Sequence, residues 1–227
     1  MHHSRFSPRA IAVRLALATL AVLALVGGDA AQALPGDRVA AFGSNGLARA
    51  SVAGNAFIAT AAARYRDGRF VVVGECAPAG QPTGFCITRF NADGSFNNAP
   101  GAFGSVFWRP VTPVGPSRPY AVAIDAEDRI VVAGHCAVVG GGAEFCLTRL
   151  LDNGLPDPSF ANFNAEVVTL IGNGSASNAV FALAIQPDGR ILAGGSCRLG
   201  AINAFGFCLA RYLPNGVLDA SFGSGGI

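Results

Sequence analysis

The sequence has few of the residues on which most enzyme active sites depend. It contains three histidines, and because two of them are His2 and His3, the rest of the chain holds only His135. One histidine cannot supply two-histidine metal chemistry, and nothing near it has the pattern of an activated serine or cysteine nucleophile. We therefore predict no catalytic residue, no cofactor and no metal site.

Lysine is absent, and all 16 basic residues are arginines. Three arginines precede an apolar run at residues 15–26, which is followed by the small-residue pattern Ala31-Gln32-Ala33. The run is too short to cross a bilayer and no second apolar segment follows, so residues 1–33 are predicted to be a cleaved signal peptide. The alternative is an uncleaved membrane anchor.

The chain after residue 33 carries no excess of charge. Its 13 arginines are balanced by 13 acidic residues. A nucleic-acid partner is not expected, because such partners usually need a basic surface. We expect a secreted or periplasmic protein with no membrane association after cleavage of the signal peptide.

Sustained helical periodicity is also absent, which argues against a helical solenoid. Three markers instead return about every 60 residues. They are a turn that ends in arginine, a pair of cysteines, and an arginine shortly after the second cysteine. The turn arginines are Arg69, Arg129 and Arg190, and the later arginines are Arg89, Arg149 and Arg211.

The six cysteines form three pairs with nine or ten residues between the members. Zinc ligands usually lie two to four residues apart, so this spacing argues against a structural metal. Residues 70–76 and 85–90 suggest two strands of a hairpin, in which cross-strand neighbours come within disulfide range. The predicted disulfides are Cys76–Cys86, Cys136–Cys146 and Cys197–Cys208. The alternative is three pairs of buried free thiols in a reducing compartment.

Each repeat suggests four short strands. In the third repeat the first three strands are expected at residues 179–186, 190–197 and 207–213. In the two earlier repeats the apolar residues 106–108 and 167–171 are expected to form the fourth strand. Gly94, Gly154 and Gly216 are expected to occupy left-handed turn positions. The pattern predicts an all-β fold, a β-propeller-like array of four-stranded antiparallel blades with about three repeats.

The expected organisation after the signal peptide is one domain, residues 34–227. It comprises a repeat tail at 42–57 and repeats at 58–118, 119–178 and 179–227. Phe42-Gly43-Ser44 near the start copies Phe222-Gly223-Ser224 near the end, so the chain holds three hairpin cores and four tails. Since propellers usually have four to eight blades, we expect an open arc, half of a homo-oligomeric ring, or a shortened relative of a longer protein. Residues 47–52 are the expected partner for the edge of the third repeat.

Three strings carry a resemblance to a known family. They lie at residues 184–192 (AIQPDGRIL), 207–212 (FCLARY) and 215–223 (NGVLDASFG). They resemble the bacterial delta-sixty repeat family over roughly residues 42–227. The resemblance implies a β-propeller-like fold in exported or surface proteins, with no established activity and no catalytic residues. The first repeat departs most, since Arg64 stands where the others have Ile124 and Ile185.

The remaining polar residues favour structural roles. Asp125, Glu127 and Asp128 form the densest carboxylate group, but at a hairpin turn without counterparts in the other repeats. Asx-rich turns at residues 91–97, 152–157 and 215–219 could hold Ca²⁺, although bonds to their own backbone explain them better. The recurring arginines are expected to hold hydrogen-bond networks within each blade.

Two functions follow. The first is an exported, non-enzymatic module that binds a protein or glycan or serves as a scaffold. Its recognition surface would be the loops between the cysteines, residues 77–84, 137–144 and 198–206, because variable loops on a rigid frame commonly carry recognition. The alternative is a hydrolase or lyase acting on carbohydrate or lactone, which requires His135, Glu75 or Asp125 to converge with other polar groups in one pocket.

Overall fold

The structure is a computed structural model that describes residues 37–49, 57–77, 80, 82–98, 105–108, 115–161, 165–171, 177–199 and 204–227. The predicted signal peptide lies outside these residues. One compact unit, Ala40–Ile227, contains all of the strands. Among the described residues, no helix is long and apolar enough to span a membrane.

The described residues form eleven strands. They are β1 Phe57–Arg64, β2 Phe70–Cys76, β3 Gly84–Phe90, β4 Ser105–Trp108, β5 Ser117–Ile124, β6 Ile130–Ala137, β7 Ala143–Leu150, β8 Glu166–Thr169, β9 Ala179–Ile185, β10 Ile191–Leu199 and β11 Ala204–Tyr212.

The strands form three antiparallel meanders, one for each sequence repeat. Sheet 1 has the order β1-β2-β3-β4, sheet 2 the order β5-β6-β7-β8, and sheet 3 the described strands β9, β10 and β11. Short apolar runs separated by glycine turns favour such hairpins, because glycine accepts the positive φ of a tight turn. The predicted all-β, propeller-like fold is confirmed, and among the described strands β11 lies at one edge of sheet 3.

Each sheet has two chemically different faces, because alternate residues of a strand point to opposite sides. We call the side that carries the cysteine pair the cysteine face and the opposite side the phenylalanine face. In sheet 2 the cysteine face includes Val132 and Cys146, and the phenylalanine face includes Phe145 and Leu147.

The sheets pack face to face in a fixed order. The phenylalanine face of sheet 1 packs on the cysteine face of sheet 2, where Phe85, Ile87, Ile130 and Val132 are fully buried. The phenylalanine face of sheet 2 packs in the same way on the cysteine face of sheet 3. Burial of these apolar faces is the main stabilising contribution of the repeats, at about 25 cal/mol per Å² of apolar surface removed from water.

A β-bulge interrupts the pairing of the first two strands in every sheet. The register shifts around Thr60, Tyr120 and Phe181. At these places a glycine of the second strand, such as Gly134, lies so close to the neighbouring backbone that a Cβ would collide with the carbonyl oxygen of Arg118. Gly74 and Gly195 occupy the equivalent positions and would collide in the same way. Each repeat therefore requires glycine in the middle of a buried strand.

The repeat tails tie neighbouring repeats together. Phe160 belongs to the tail of the second repeat, and its ring lies 2.7 Å from the position that a Cβ on Gly216 would occupy. The ring of Phe42 lies 2.9 Å from the position that a Cβ on Gly94 would occupy. Gly94, Gly154 and Gly216 have φ of +80°, +80° and +84°, the left-handed conformation that the sequence predicts. A tail from one repeat thus packs on the glycine turn of the next.

Candidate functional site

A cavity of about 670 Å³ lies at the rim of the three sheets where their first hairpin turns meet. Arg64 and Arg66 enter it from the first repeat, Asp125 and Glu127 from the second, and Gln186 from the third. Because the same turn ends the first strand of every sheet, the repeat itself brings these side chains together. We call this the rim cavity.

Most charges in the rim cavity are neutralised within the protein. The guanidinium of Arg129 donates to Asp125 at 2.6 Å and to Glu127 at 2.8 Å. Arg149 donates to Asp157 at 2.7 Å. Both arginines therefore form ion pairs with acidic side chains of the turns.

Arg64 and Arg66 differ from the other arginines of the rim cavity. Both are exposed, and no carboxylate of the described residues forms an ion pair with either of them. Arg64 is the departure of the first repeat from the isoleucine of the other two. The first repeat thus adds two available guanidinium groups to a cavity whose remaining charges are balanced.

The rim cavity also has a neutral polar side chain and apolar residues in its walls. Gln186, Ile124, Ile185 and Pro214 line it. Together with the two arginines, these walls can hold a ligand that has an anionic group and an apolar ring face.

The recurring arginines that follow the cysteines connect neighbouring sheets. Arg89 Nη1 donates to the backbone carbonyl of Asp152 at 2.5 Å, and Arg149 Nη1 donates to that of Pro214 at 2.6 Å. Asp152 and Pro214 occupy the same position in successive repeats. The network predicted within each blade therefore also extends across the sheet interfaces.

The same arginines hold an aspartate of their own repeat where one is present. Arg149 binds Asp157, and Arg211 binds Asp219 at 2.8 Å. The pKa of Asp219 is lowered to about 2, first by the hydroxyl of Ser221 and then by the Ser221 N–H and Arg211. Burial raises the pKa of Asp157, but hydrogen bonds from Ser159 and the charge of Arg149 outweigh it and leave the pKa below its ordinary value.

The arginines of the first hairpin turns close those turns. The backbone N–H of Arg69, Arg129 and Arg190 each donates to an aspartate of the same turn, at 3.0, 2.8 and 3.1 Å. Their guanidinium groups bind acidic side chains of the same turn as well. These contacts are structural, and they use the carboxylate of Asp125 that the sequence offered as a catalytic candidate.

The Asx-rich turns bind their own backbone. Asp93 Oδ1 accepts from Ser95 N at 2.9 Å, Asn153 Oδ1 from Leu155 N at 3.0 Å, and Asn215 Oδ1 from Val217 N at 3.2 Å. One oxygen of each of these side chains therefore accepts a hydrogen bond from the backbone of its own turn.

His135 lies in a second polar group, at the opposite end of the sheets from the rim cavity. Its ring is 5.6 Å from that of Tyr120, and Tyr120 is 5.1 Å from Phe181. Glu75 and Arg118 form a two-point ion pair beside it. Burial and then Arg118 lower the pKa of His135, while Glu75 raises it. His135 and Glu75 therefore lie in one polar group. Asp125 comes directly after the last residue of β5 and lies in the rim cavity instead.

The loops between the cysteines lie at this second rim, because β2, β6 and β10 run towards it from the first hairpin turns. Parts of the predicted recognition surface, residues 78, 79, 81 and 200–203, lie outside the described residues. In the second loop Val139 is exposed, and Gly140 and Gly141 have open space around them.

The three predicted cysteine pairs lie at disulfide distance. The Cα–Cα separations are 5.8 Å for Cys76–Cys86, 5.5 Å for Cys136–Cys146 and 5.8 Å for Cys197–Cys208. Each pair is diagonal across its hairpin, since the residue opposite the second cysteine is one of the bulge glycines Gly74, Gly134 and Gly195. The same glycine thus lies at the bulge of the first two strands and opposite the second cysteine of the pair.

Comparison with protein-family models finds one family in all three repeats. Residues 66–99, 128–160 and 186–222 match a family described as "Domain of unknown function (DUF5122) beta-propeller". Each of the three sequence repeats is therefore similar to this β-propeller family, and each matched stretch begins near a first hairpin turn. A search of curated proteins finds no significant match.

Proposed function

We propose that the protein is an exported, non-enzymatic β-propeller-like module that binds an acidic glycan in the rim cavity. The observation that carries the proposal is the pair Arg64 and Arg66, exposed at the cavity and without a carboxylate partner among the described residues. Guanidinium groups bind carboxylates and sulfates through charge-assisted hydrogen bonds, which are stronger than neutral ones.

The size and walls of the cavity favour a glycan over a protein surface. A volume of about 670 Å³ is within the range of small-molecule sites and suits a few sugar rings. Ile124 and Pro214 would contact the apolar face of a ring. Protein partners instead need broad contact areas of roughly 800 Å² per side.

The signal-peptide pattern and the cysteine pairs support the proposed export. Three pairs at disulfide distance suit an oxidising compartment, since disulfides are rare in the cytosol. A periplasmic or extracellular module would meet acidic polysaccharides of cell surfaces.

The enzymatic alternative finds less support. Glycoside hydrolysis commonly uses two carboxylates flanking the bond, and near His135 the carboxylate of Glu75 is already bound by Arg118. In the rim cavity Asp125 and Glu127 are bound by Arg129. Neither group presents an available acid and base pair.

The test is binding of a defined acidic oligosaccharide by calorimetry. A trimer of galacturonic acid should bind the protein, and a neutral trimer of glucose should bind at least tenfold more weakly. Arg64→Ile, which restores the residue of the other repeats, and Arg66→Ala should each weaken binding of the acidic trimer about tenfold, which is about 1.4 kcal/mol.

Arg38→Ala is the matched control, because it removes an exposed arginine that is not among the residues lining the rim cavity. It should leave binding unchanged. Equal binding of acidic and neutral trimers, or binding that is unaffected by both cavity variants, would show that the rim cavity is not the site.

A further inference from the structure

The phenylalanine face of sheet 3 is uncovered. Phe85 and Phe145 are 0% exposed in the two sheet interfaces, whereas Phe207, at the same position in the third repeat, is 101% exposed. Leu209 is 44% exposed, while its counterparts Ile87 and Leu147 are fully buried. Phe181 is also exposed, and Phe181 and Phe207 border an apolar cavity. Contiguous exposed apolar side chains of this kind mark an interaction surface.

At the other end of the array, the cysteine face of sheet 1 has no preceding sheet packed on it among the described residues. It borders an apolar cavity of about 670 Å³ lined by Ala62, Phe70, Val72 and Phe90, with residues 46–49 along one side. The equivalent residues of sheet 2, among them Ile130, Val132 and Leu150, are fully buried against the preceding sheet. The cavity thus lies where the phenylalanine face of a preceding sheet would pack.

The two ends of the arc carry copies of one tail. Gly46 N donates to Phe42 O at 2.8 Å, and Gly226 N donates to Phe222 O at 2.7 Å. Ser44 N donates to Leu47 O and Ser224 N to Ile227 O, both at 2.8 Å, and φ is +56° at Gly43 and +54° at Gly223. Residues 42–47 and 222–227 therefore adopt the same local fold.

The second repeat shows what should follow such a tail. There Ala165 N donates to Phe160 O at 3.0 Å, and β8 begins at the next residue and pairs with β7. By this correspondence Leu47 and Ile227 occupy the position at which β8 begins in the second repeat. Residues 47–49 are thus suited to pair with an edge such as that of β11.

We propose that two copies of this chain close into a ring of six sheets. The phenylalanine face of sheet 3 in each copy packs on the cysteine face of sheet 1 in the other. Residues 47–49 of each copy form the fourth strand beside β11 of the other. The occupant is a second copy because each new interface continues the two already present in the chain, and six sheets lie within the usual four to eight of propellers.

The arginine network supports the same arrangement. Arg89 and Arg149 donate to the turn carbonyls of Asp152 and Pro214 in the next sheet. Arg211 is their counterpart in sheet 3, and Ala92 of sheet 1 is the counterpart of the two acceptors. Closing the ring places the Ala92 carbonyl of one copy where the guanidinium of Arg211 of the other can donate to it.

In the proposed six-sheet ring, two tails compete for one position. In each copy residues 42–46 lie on the turn that contains Gly94, and Gly43 N donates to Asp93 O. The C-terminal tail of the other copy would occupy the same position, so residues 222–227 must leave the place they hold beside Arg211, where Gly226 O accepts from Arg211 N at 3.0 Å. The C-terminal tail therefore opposes dimer formation.

Analytical ultracentrifugation of the mature chain, residues 34–227, measures the assembly. A dimer is expected at micromolar concentration. Phe207→Ser should raise the dimer dissociation constant at least tenfold, whereas Leu155→Ser, which changes an exposed leucine in a turn, should leave it unchanged. Deletion of residues 222–227 should lower the constant, and deletion of residues 34–52 should give monomers or insoluble protein.

Mixing two interface variants distinguishes the proposed ring from other kinds of dimer. Ala62→Arg should block the cysteine face of sheet 1, as Phe207→Ser blocks the opposite face. Each variant alone should be monomeric, but an equal mixture retains one intact interface and should form mixed dimers. A monomeric wild-type chain at 100 µM, a dimer insensitive to Phe207→Ser, or variants that do not complement each other would overturn the proposal.

Discussion

Phe145 and Phe207 occupy the same position in successive repeats and have opposite environments. Phe145 is fully buried between sheets 2 and 3, and Phe207 is fully exposed on the far side of sheet 3. The strands around them are similar, since each residue precedes the second cysteine of its hairpin. The difference therefore comes from the place of the repeat in the array, not from its local sequence.

This comparison shows that each repeat supplies half of two interfaces. A single sheet cannot bury both of its apolar faces, so stability comes from contacts with its neighbours. The interior interfaces satisfy this requirement, and the end faces do not. The following predictions test how large that difference is.

The largest expected effect is on the interior phenylalanine. Phe145→Ala should lower the free energy of unfolding by about 3–5 kcal/mol, because it leaves a cavity in a packed interface. Phe207→Ala should change the unfolding of the monomer by less than about 0.5 kcal/mol. Urea denaturation at a protein concentration that favours monomers measures both. Equal losses would mean that Phe207 is buried in the monomer.

The cysteine pairs are expected to contribute the next largest effect. Replacing Cys136 and Cys146 together by alanine should lower stability by roughly 3 kcal/mol, since the bridge closes a short loop. Peptide mapping without reductant should recover Cys76–Cys86, Cys136–Cys146 and Cys197–Cys208. Free thiols or links between repeats would contradict the hairpin pairing.

A glycine under a repeat tail should be more sensitive than a glycine in open space. Gly216→Val should lower stability by about 1 kcal/mol or more, because it combines strain at positive φ with a collision against Phe160. Gly225→Val is the matched control, since Gly225 also has positive φ but nothing within 4 Å. If both variants lower the melting temperature equally, the tail does not pack on the turn.

The acid dependence of stability should differ between the interior and terminal repeats. The pKa of Asp157 and that of Asp219 are both below the ordinary 3.8, the latter at about 2. Ionised aspartate therefore stabilises the fold above about pH 4, and this contribution is lost as the pH falls below 3.8. Asp157→Asn and Asp219→Asn should each flatten the fall in stability between about pH 5 and pH 2.

Asp219→Asn should have the larger effect on that acid dependence, because the pKa of Asp219 is lowered more than that of Asp157. Asn97 at this position in the first repeat shows that asparagine is compatible with the turn. An acid profile identical to wild type in both variants would contradict the role of the ion pairs.

The smallest expected effect concerns His135. Its folded pKa lies below the ordinary 6.5, so the folded state binds a proton less readily than the unfolded state. Stability should therefore decrease as the pH falls through and below about 6.5, and His135→Gln should reduce this decrease. Melting temperatures between about pH 8 and pH 5 measure it, and an unchanged slope would count against burial of the ring.

The sequence predicted the fold because local patterns carry it. The return of cysteines, arginines and glycine turns at fixed spacing predicted the hairpins, and the strand around Phe70 was placed with its observed ends. The bulges were missed, although the glycines in the middle of apolar strands, Gly74, Gly134 and Gly195, are a recognised signal of close backbone approach.

The candidate site was less accessible from the sequence. Arg64 was noted only as a departure from the isoleucine of the other repeats, because its function depends on the turns of three repeats meeting at one rim. The arginine bonds between sheets were missed for the same reason. Contacts between distant repeats have no spacing that a single sequence reveals.

The most direct test of the account is hydrogen exchange at the outer edge of β11. In sheets 1 and 2 the equivalent strand segments, Phe85 to Thr88 and Phe145 to Thr148, pair with an outer strand. The amides of Phe207 and Leu209 point to this outer edge, because Arg211 N donates to Gly226 O on the same side of β11 and N–H groups alternate along a strand. If two copies complete each other, these two amides should become as protected as those of Phe145 and Leu147 when the protein concentration rises above the dimer dissociation constant. Rapid exchange of Phe207 and Leu209 at every concentration would show that the third sheet keeps an open edge, and would contradict the proposed ring.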